Sequence, residues 1–201
     1  LRSARAAQRA WAALSLYDRI SAVRKARNRL LSMADEIATV VADECGKPLE
    51  EALLAEVIPN GDLFDHWCNN VEEYLEPDEV DLDPLSYPGK SGVTYREARG
   101  VVALITPWNF PVALPLRSLV PALLAGNAVV FKPSEITPRS GELIVKAFES
   151  FLPKGVLSLV QGDGSVGAAL IAGDVDLVVF TGSVATGRKI AGACAERLIP
   201  C

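Results

Sequence analysis

The chain has 201 residues, of which 50% are hydrophobic and 22% charged, with a formal net charge of −5. This composition supports a packed core and excludes a disordered chain. The acidic balance, without a basic run, argues against nucleic acid as a partner. No apolar stretch approaches the roughly 20 residues that cross a membrane. We therefore expect a globular protein without nucleic-acid or membrane partners.

Cysteine and histidine are the residue types that most often bind metals or act as nucleophiles. The cysteines are Cys45, Cys68, Cys194 and Cys201. Their wide spacing matches neither a disulfide framework nor a zinc site, which predicts free thiols, no metal and a cytoplasmic setting. The single histidine, His66, has no neighbouring catalytic partner, so a packing or surface role is expected.

Residues 1–77 are predicted to form an amino-terminal helical segment, because apolar residues recur at helical spacing. Ser15 and Ser32 each stand three residues before an aspartate, a pattern typical of a capping box. Gly46 and Pro48 end one helix before another begins. A solvated face is expected for the basic residues of this segment: Arg19, Arg24, Lys25, Arg27 and Arg29.

Residues 78–98 differ in composition from the flanking segments. Prolines, glycines and acidic residues are followed by an alternating run at 93–97. This pattern predicts an extended β arm that leaves the compact body. An arm with unpaired edges favours contact with a second copy, as in a homodimer or homotetramer, and the alternative is a surface loop.

Residues 99–201 alternate between short apolar runs and helical patterns. Strands are predicted at 101–105, 128–131, 156–160 and 177–180, and helices at 111–125, 138–151, 165–172 and 183–195. Residues 198–201 are expected to begin a further strand. Such alternation predicts an α/β fold with an open parallel sheet and helices on both faces. Ligands of such sheets bind beyond the carboxyl ends of the strands.

Gly162, Gly164 and Gly167 spell G-x-G-x-x-G between a predicted strand and a helix. The standard dinucleotide fingerprint also needs an acidic residue about 20 positions later, at the end of the next strand. That strand ends at Phe180 and Thr181 instead, so the standard fingerprint is not met. The glycines are equally consistent with close approach of a ligand and with tightly packed backbone.

Polar residues follow three of the predicted strands. Glu135 could accept hydrogen bonds from ribose hydroxyls and would repel a 2′-phosphate, which favours NAD over NADP. Lys132 beside it could supply a cation or form an ordinary ion pair. Ser183 opens a helix whose free amides suit a pyrophosphate, or it is an ordinary N-cap. Asn109 either caps the following helix or donates to an oxygen that becomes negative during a reaction.

Several segments resemble the aldehyde dehydrogenase superfamily, in the order that the family has them: 106–111 (TPWNFP), 121–127 (PALLAGN), 132–138 (KPSEITP) and 180–183 (FTGS). Residues 44–48 (ECGKP) resemble the family's amino-terminal helical region. The resemblance implies a Rossmann-like cofactor-binding portion. It also implies oxidation of an aldehyde to a carboxylate with NAD(P)⁺, through a cysteine thiohemiacetal and thioester.

The resemblance also implies roles for individual residues. Asn109 belongs to the oxyanion hole by this likeness. The implied nicotinamide side is lined by Thr106, Pro107 and Trp108. The implied ribose and pyrophosphate contacts are Lys132, Glu135 and Ser183, with Ser134, Phe180, Thr181 and Gly182 in the same motifs, and Gly162 and Gly167 lie near the adenine.

Arg117 stands eight residues after Asn109. In family members that act on acid semialdehydes such as succinate semialdehyde, an arginine at the matching place holds the substrate carboxylate. A guanidinium can bind a carboxylate through two hydrogen bonds. The alternative is a surface or interface arginine.

The sequence departs from the family at the nucleophile. The family's catalytic cysteine and general-base glutamate lie in segments carboxyl-terminal to these residues, and neither Cys194 nor Cys201 has the surrounding motif. We therefore expect a cofactor-binding portion without the catalytic domain, inactive in aldehyde oxidation by itself. Alternatives are a non-catalytic nucleotide-binding or assembly fragment and an acylating dehydrogenase that releases a thioester.

Overall fold

A computed structural model describes residues 1–201. The helices are α1 (Arg2–Ala12), α2 (Leu16–Ser32), α3 (Ala34–Cys45), α4 (Leu49–Ala52), α5 (Ile58–Leu75), α6 (Ala113–Leu124), α7 (Pro138–Phe148), α8 (Gly164–Ala172) and α9 (Val184–Glu196), with a π-helical turn at Leu53–Val57. The strands are β1 (Asp78–Val80), β2 (Gly92–Thr94), β3 (Val101–Ile105), β4 (Ala128–Lys132), β5 (Leu157–Leu159) and β6 (Leu177–Phe180). No helix is both long and apolar enough to span a membrane.

Four parallel strands form the central sheet, in the order β5-β4-β3-β6. Every residue of β3 and β4 is buried, as expected for strands that are continuous apolar runs covered on both faces. The predicted α/β fold with a parallel sheet and an amino-terminal helical part is therefore confirmed. The strands β3 and β6 have their predicted bounds, and the other predicted elements of 99–201 differ by at most about three residues at an end.

Side chains of β3 alternate between two hydrophobic cores, because successive strand residues point to opposite faces. Val102 and Leu104 belong to the larger core, which the amino-terminal helices, α6 and α7 share. Ala103 and Ile105 belong to the smaller core under α8 and α9. The sheet thus holds the ends of β3, β4 and β6 at one rim.

Arg19 is buried at 9% exposure, so its predicted place on a solvated face is wrong. Its Nε donates to the carbonyl of Leu124 at 2.9 Å, and its Nη1 donates to the carbonyls of Ala12 and Leu14 at 3.1 and 2.7 Å. Trp11 donates its indole N–H to the carbonyl of Leu123 at 2.9 Å. The last carbonyls of a helix have no hydrogen-bond donor inside it. Arg19 and Trp11 supply donors for two of these carbonyls at the end of α6.

Two further local predictions have different outcomes. Ser15 caps α2, since its Oγ accepts from the Asp18 amide at 3.1 Å. Ser32 does not cap α3; its Oγ donates to the carbonyl of Arg29 at 2.7 Å. Only Met33 separates α2 from α3, so Ser32 still belongs to the preceding helix and the second capping box is wrong.

The segment at 198–201 forms no strand. Leu198 has a positive φ of 55°, which interrupts an extended course. A single backbone bond joins the segment to the edge strand, from the Val178 amide to the carbonyl of Pro200 at 3.0 Å. The predicted further strand is therefore wrong within these residues.

The arm at 78–98 contains the antiparallel pair β1 and β2, with Asp78 opposite Thr94. Apolar side chains on it are open to solvent, including Leu85 at 92% and Tyr95 at 69% exposure. The arm therefore presents an uncovered, partly apolar surface.

Candidate functional site

A cleft of about 700 Å³ opens at the carboxyl ends of β3, β4 and β6. The predicted residues that line it are Thr106, Pro107, Lys132, Ser134, Glu135, Gly167, Phe180, Thr181, Gly182 and Ser183. They come from three separate strand ends and the start of two helices. The cleft lies where a parallel sheet binds its ligands.

Thr106 continues β3 into the cleft. The residue is 4% exposed, and its Oγ1 has no hydrogen-bond partner in the protein. Buried hydroxyls nearly always have a partner, and an orphan indicates a bound group or water. The wall of the cleft therefore offers an unused polar group.

Lys132 ends β4 with only 4% of its side chain exposed. Its Nζ donates to the carbonyl of Pro133 at 3.0 Å and lies 3.6 Å from Glu135 Oε2. A Cβ added at Gly167 would lie 3.6 Å from Lys132 Cδ, so α8 packs along the lysine stem. An ammonium has three donors, and these two contacts leave one for a ligand.

Ser183 forms the third wall and is also the N-cap of α9. Its Oγ accepts from the Thr186 amide at 3.2 Å. A side chain at Gly182 would collide with the ring of Phe180, since its Cβ would lie 2.4 Å from Cζ. The two interpretations of Ser183 are compatible, because a capped helix start can still face an anion with its other amides.

Four predicted residues lie outside the lining of this cleft: Trp108, Asn109, Arg117 and Gly162. Trp108 is 47% exposed, and Asn109 and Arg117 are also exposed. Gly162 has a φ of +139°, and a Cβ there would lie 2.4 Å from Val166 Cγ2. The backbone conformation therefore accounts for a glycine at this position.

Asn109 does not cap the helix that follows it, because the N-cap residue of α6 is Val112. Glu56 takes that place: its Oε2 accepts from the amides of Val112 and Ala113 at 3.1 and 2.9 Å. Glu56 is fully buried and pairs with Lys47 Nζ at 2.6 Å. Glu56 was not predicted as a site residue, since no local pattern links a glutamate to a helix 56 residues away.

Glu44 closes the next strand-to-helix turn in the same way. Its carboxylate accepts from the amides of Arg139 and Ser140 at 2.8 and 2.9 Å, and from Ser140 Oγ at 2.6 Å. These bonds satisfy free amides at the start of α7. Two carboxylates of the amino-terminal helices therefore hold the helices that follow β3 and β4.

Lys189 also lines the cleft and was not predicted, since a lysine within a helix is usually solvated. Arg197 lines it too and donates through Nη1 to the carbonyl of Gly173 at 2.7 Å. This bond ties the end of α9 to the end of α8. Both cationic residues lie on the wall formed by these helices.

All four cysteines are free. Burial raises the pKa of the Cys45 and Cys194 thiols, so both are protonated near neutral pH and neither is an activated nucleophile. Cys45 Sγ donates to the carbonyl of Trp108 at 3.1 Å. His66 is exposed on α5, and no cluster of His, Cys, Asp and Glu side chains could hold a metal.

The parallel sheet with a polar cleft at the carboxyl ends of its strands is a Rossmann-like arrangement. A sequence profile of the aldehyde dehydrogenase family matches residues 1–201. The chain belongs to the aldehyde dehydrogenase family. The resemblance inferred from the motifs is thereby confirmed.

Individual relatives agree with this membership. The chain is 37% identical over 201 residues to the 4,4'-diapolycopene aldehyde oxidase of Methylomonas sp., covering all of this chain and 38% of that protein. It superposes on PnpE in complex with nicotinamide adenine dinucleotide at a TM-score of 0.92 and 34% identity, over 99% of this chain and 40% of that one. A lactaldehyde dehydrogenase gives a TM-score of 0.92 at 36% identity, over 99% and 41% of the two chains. The chain thus spans about two-fifths of these relatives.

Proposed function

We propose that the protein containing these residues oxidises an aldehyde to a carboxylate with NAD⁺ through a cysteine thioester, and that residues 1–201 bind the nucleotide. The observation that carries this proposal is the single cleft onto which β3, β4 and β6 bring Thr106, Lys132, Glu135 and Ser183. Family membership supplies the reaction class. The nucleophilic cysteine and the general base are assigned to segments outside these residues.

The side chains of the cleft fit a dinucleotide. Glu135 would accept hydrogen bonds from ribose hydroxyls, and Lys132 would use its remaining donor beside it. The start of α9 at Ser183 would hold the pyrophosphate, while Thr106 and Pro107, with Trp108, would flank the nicotinamide. Bound NAD⁺ would supply the hydride acceptor. The negative charge of Glu135 favours NAD over NADP, because it repels a 2′-phosphate.

Asn109 is proposed as the oxyanion donor. Its side chain is exposed and not used to cap α6, so the amide is available to a substrate. An amide held near a carbonyl oxygen stabilises the charge that develops there during attack. Arg117, exposed on α6, is proposed to bind a substrate carboxylate, which would make the substrate a semialdehyde such as succinate semialdehyde.

We also propose a homodimer or homotetramer that uses the arm at 78–98, since exposed apolar side chains such as Leu85 favour burial against another copy. The free cysteines support a reducing, cytoplasmic setting.

The full-length protein tests the proposal directly. With NAD⁺ and a short aldehyde or semialdehyde, we expect NADH and the carboxylate to form, without dependence on coenzyme A. Product formation only with coenzyme A would indicate an acylating dehydrogenase. NAD binding by residues 1–201 with no turnover by the full-length protein would instead favour a non-catalytic nucleotide-binding module.

A further inference from the structure

We propose that Glu56 and Lys47 position the oxyanion donor Asn109, an inference that rests on the function proposed above. Glu56 Oε2 accepts from the amides of Val112 and Ala113, three and four residues after Asn109. These amides begin α6, and a carboxylate at the start of a helix is stabilised by the free amides and the helix dipole. Glu56 therefore fixes the carboxyl-terminal end of the turn that carries Asn109.

Lys47 restrains the same turn through a different residue. Its Nζ bonds Glu56 Oε1 at 2.6 Å and lies 3.9 Å from the ring centroid of Phe110, the residue directly after Asn109. A cation over an aromatic face is attracted to it. On the other side of Asn109, Cys45 donates to the carbonyl of Trp108. Both neighbours of Asn109 are thus held by residues 45–47.

The buried charge of Glu56 is compensated by its partners, and its backbone is irregular. It is fully buried yet has a cation and two amides as partners, which offsets the cost of burying a charge. It lies in the π-helical turn Leu53–Val57, and such turns recur at functional sites. Asn60 Nδ2 donates to the Glu56 carbonyl at 2.6 Å, which satisfies a carbonyl of this irregular turn.

Positioning matters because an oxyanion donor acts only at the right place. A displacement of about 1 Å in a catalytic group can cost about 10²-fold in rate. Asn109 itself is exposed, so its backbone turn determines where its amide lies. Glu56 and Lys47 are not among the residues that line the cleft, and we propose that they act through Asn109.

A double-mutant cycle in the full-length enzyme tests this role. We expect Glu56→Gln to lower kcat by about 10- to 100-fold and to leave the KM for NAD⁺ unchanged. In an Asn109→Ala background, Glu56→Gln should cause little further loss, because the donor that it positions is gone. Independent, multiplying losses in the double variant would overturn the proposal, as would an unchanged kcat in Glu56→Gln.

Glu44→Gln is the matched control, since Glu44 caps α7 in the same manner. The losses of kcat caused by Glu44→Gln and Asn109→Ala should multiply, because α7 follows β4 whereas the turn that carries Asn109 follows β3. If Glu44→Gln and Glu56→Gln show the same coupling energy with Asn109→Ala, both variants cause a general loss of structure. That result would overturn the specific role of Glu56.

A second measurement does not need activity or the Glu56 variant. In Lys47→Met, hydrogen exchange at the amides of Val112 and Ala113 should accelerate, while the amides of Arg139 and Ser140 keep their wild-type rates. Unchanged exchange at Val112 and Ala113 would overturn the positioning role. An inactive wild-type enzyme with accelerated exchange would instead reject the proposed function and leave the restraint of the turn supported.

Discussion

Lys132 Nζ lies 3.6 Å from Glu135 Oε2, with 4% of the lysine side chain and 55% of the glutamate side chain exposed. The cation is therefore at the floor of the cleft and the carboxylate is at its mouth. Glu135 is therefore the residue that we propose to discriminate between NAD and NADP.

Replacing Glu135 by serine should weaken NAD⁺ binding and shift preference towards NADP⁺. Loss of a hydrogen bond to a charged group costs about 1.5–3 kcal/mol, which is roughly a 10- to 150-fold loss of affinity. Calorimetric titration of both nucleotides measures the ratio. Glu149→Ser, at the exposed far end of α7, is the control and should leave both affinities unchanged. An unaltered ratio in Glu135→Ser would count against the ribose assignment.

Replacing Asn109 by alanine should reduce kcat in the full-length enzyme by about 10²–10³-fold, the effect of removing one oxyanion donor. Affinity for NAD⁺ should stay at the wild-type value, since Asn109 lies outside the cleft lining. Steady-state kinetics and nucleotide titration together separate the two effects. Asn28→Ala, exposed on α2, should change neither. Wild-type turnover in Asn109→Ala would reject the oxyanion role.

Replacing Phe131 by alanine should lower the free energy of unfolding by about 3–5 kcal/mol, because it leaves a cavity in the core. Phe131 is fully buried in the central strand β4. Tyr17→Ala, at a position that is 78% exposed, should change stability by less than about 0.5 kcal/mol. Urea unfolding of both variants measures the difference, and equal losses would contradict the core position of Phe131.

Asp176 should contribute a pH-dependent part of the stability. Burial alone would raise the pKa of its carboxyl, but hydrogen bonds from Arg5 and from the Val101 amide outweigh burial and lower it. A lowered folded pKa stabilises the protein above the unfolded value, about 3.9. That stability is lost as the pH falls through the folded pKa.

Urea unfolding at a series of acidic pH values checks this expectation. Asp176→Asn should reduce the slope of stability against pH in the acid range. Arg5→Met should reduce it as well, since it removes the main partner of the carboxylate. Wild-type slopes in both variants would show that the pair does not titrate as described.

Local sequence signals predicted the parts of the fold that depend on neighbouring residues. β3 and β4 are apolar runs that end in polar residues, and the parallel arrangement brings such ends to one rim. The order of strands and helices along the chain is therefore enough to group Lys132, Glu135 and Ser183 at one edge of the sheet. Their proposed roles in nucleotide binding stay predictions.

Contacts between distant residues were beyond these signals. Arg19 looked solvated because its helix carries many charges, yet its partner carbonyl at Leu124 is 105 residues away. Glu56 capping α6 depends equally on how the amino-terminal helices dock. The predicted capping box at Ser32 was wrong for another reason. The Ser-x-x-Asp pattern does not show that α2 continues to Ser32.

Helix α6 is anchored at both termini by the amino-terminal segment: Glu56 binds its first amides, and Trp11 and Arg19 bind its last carbonyls. Sliding or tilting this helix would break hydrogen bonds at both ends at once. Neither α8 nor α9, which form the opposite wall of the cleft, is hydrogen-bonded to the amino-terminal segment at both of its ends. If the cleft opens and closes when a nucleotide enters or leaves, we therefore expect α8 and α9 to move. The turn between β3 and α6 should keep its position.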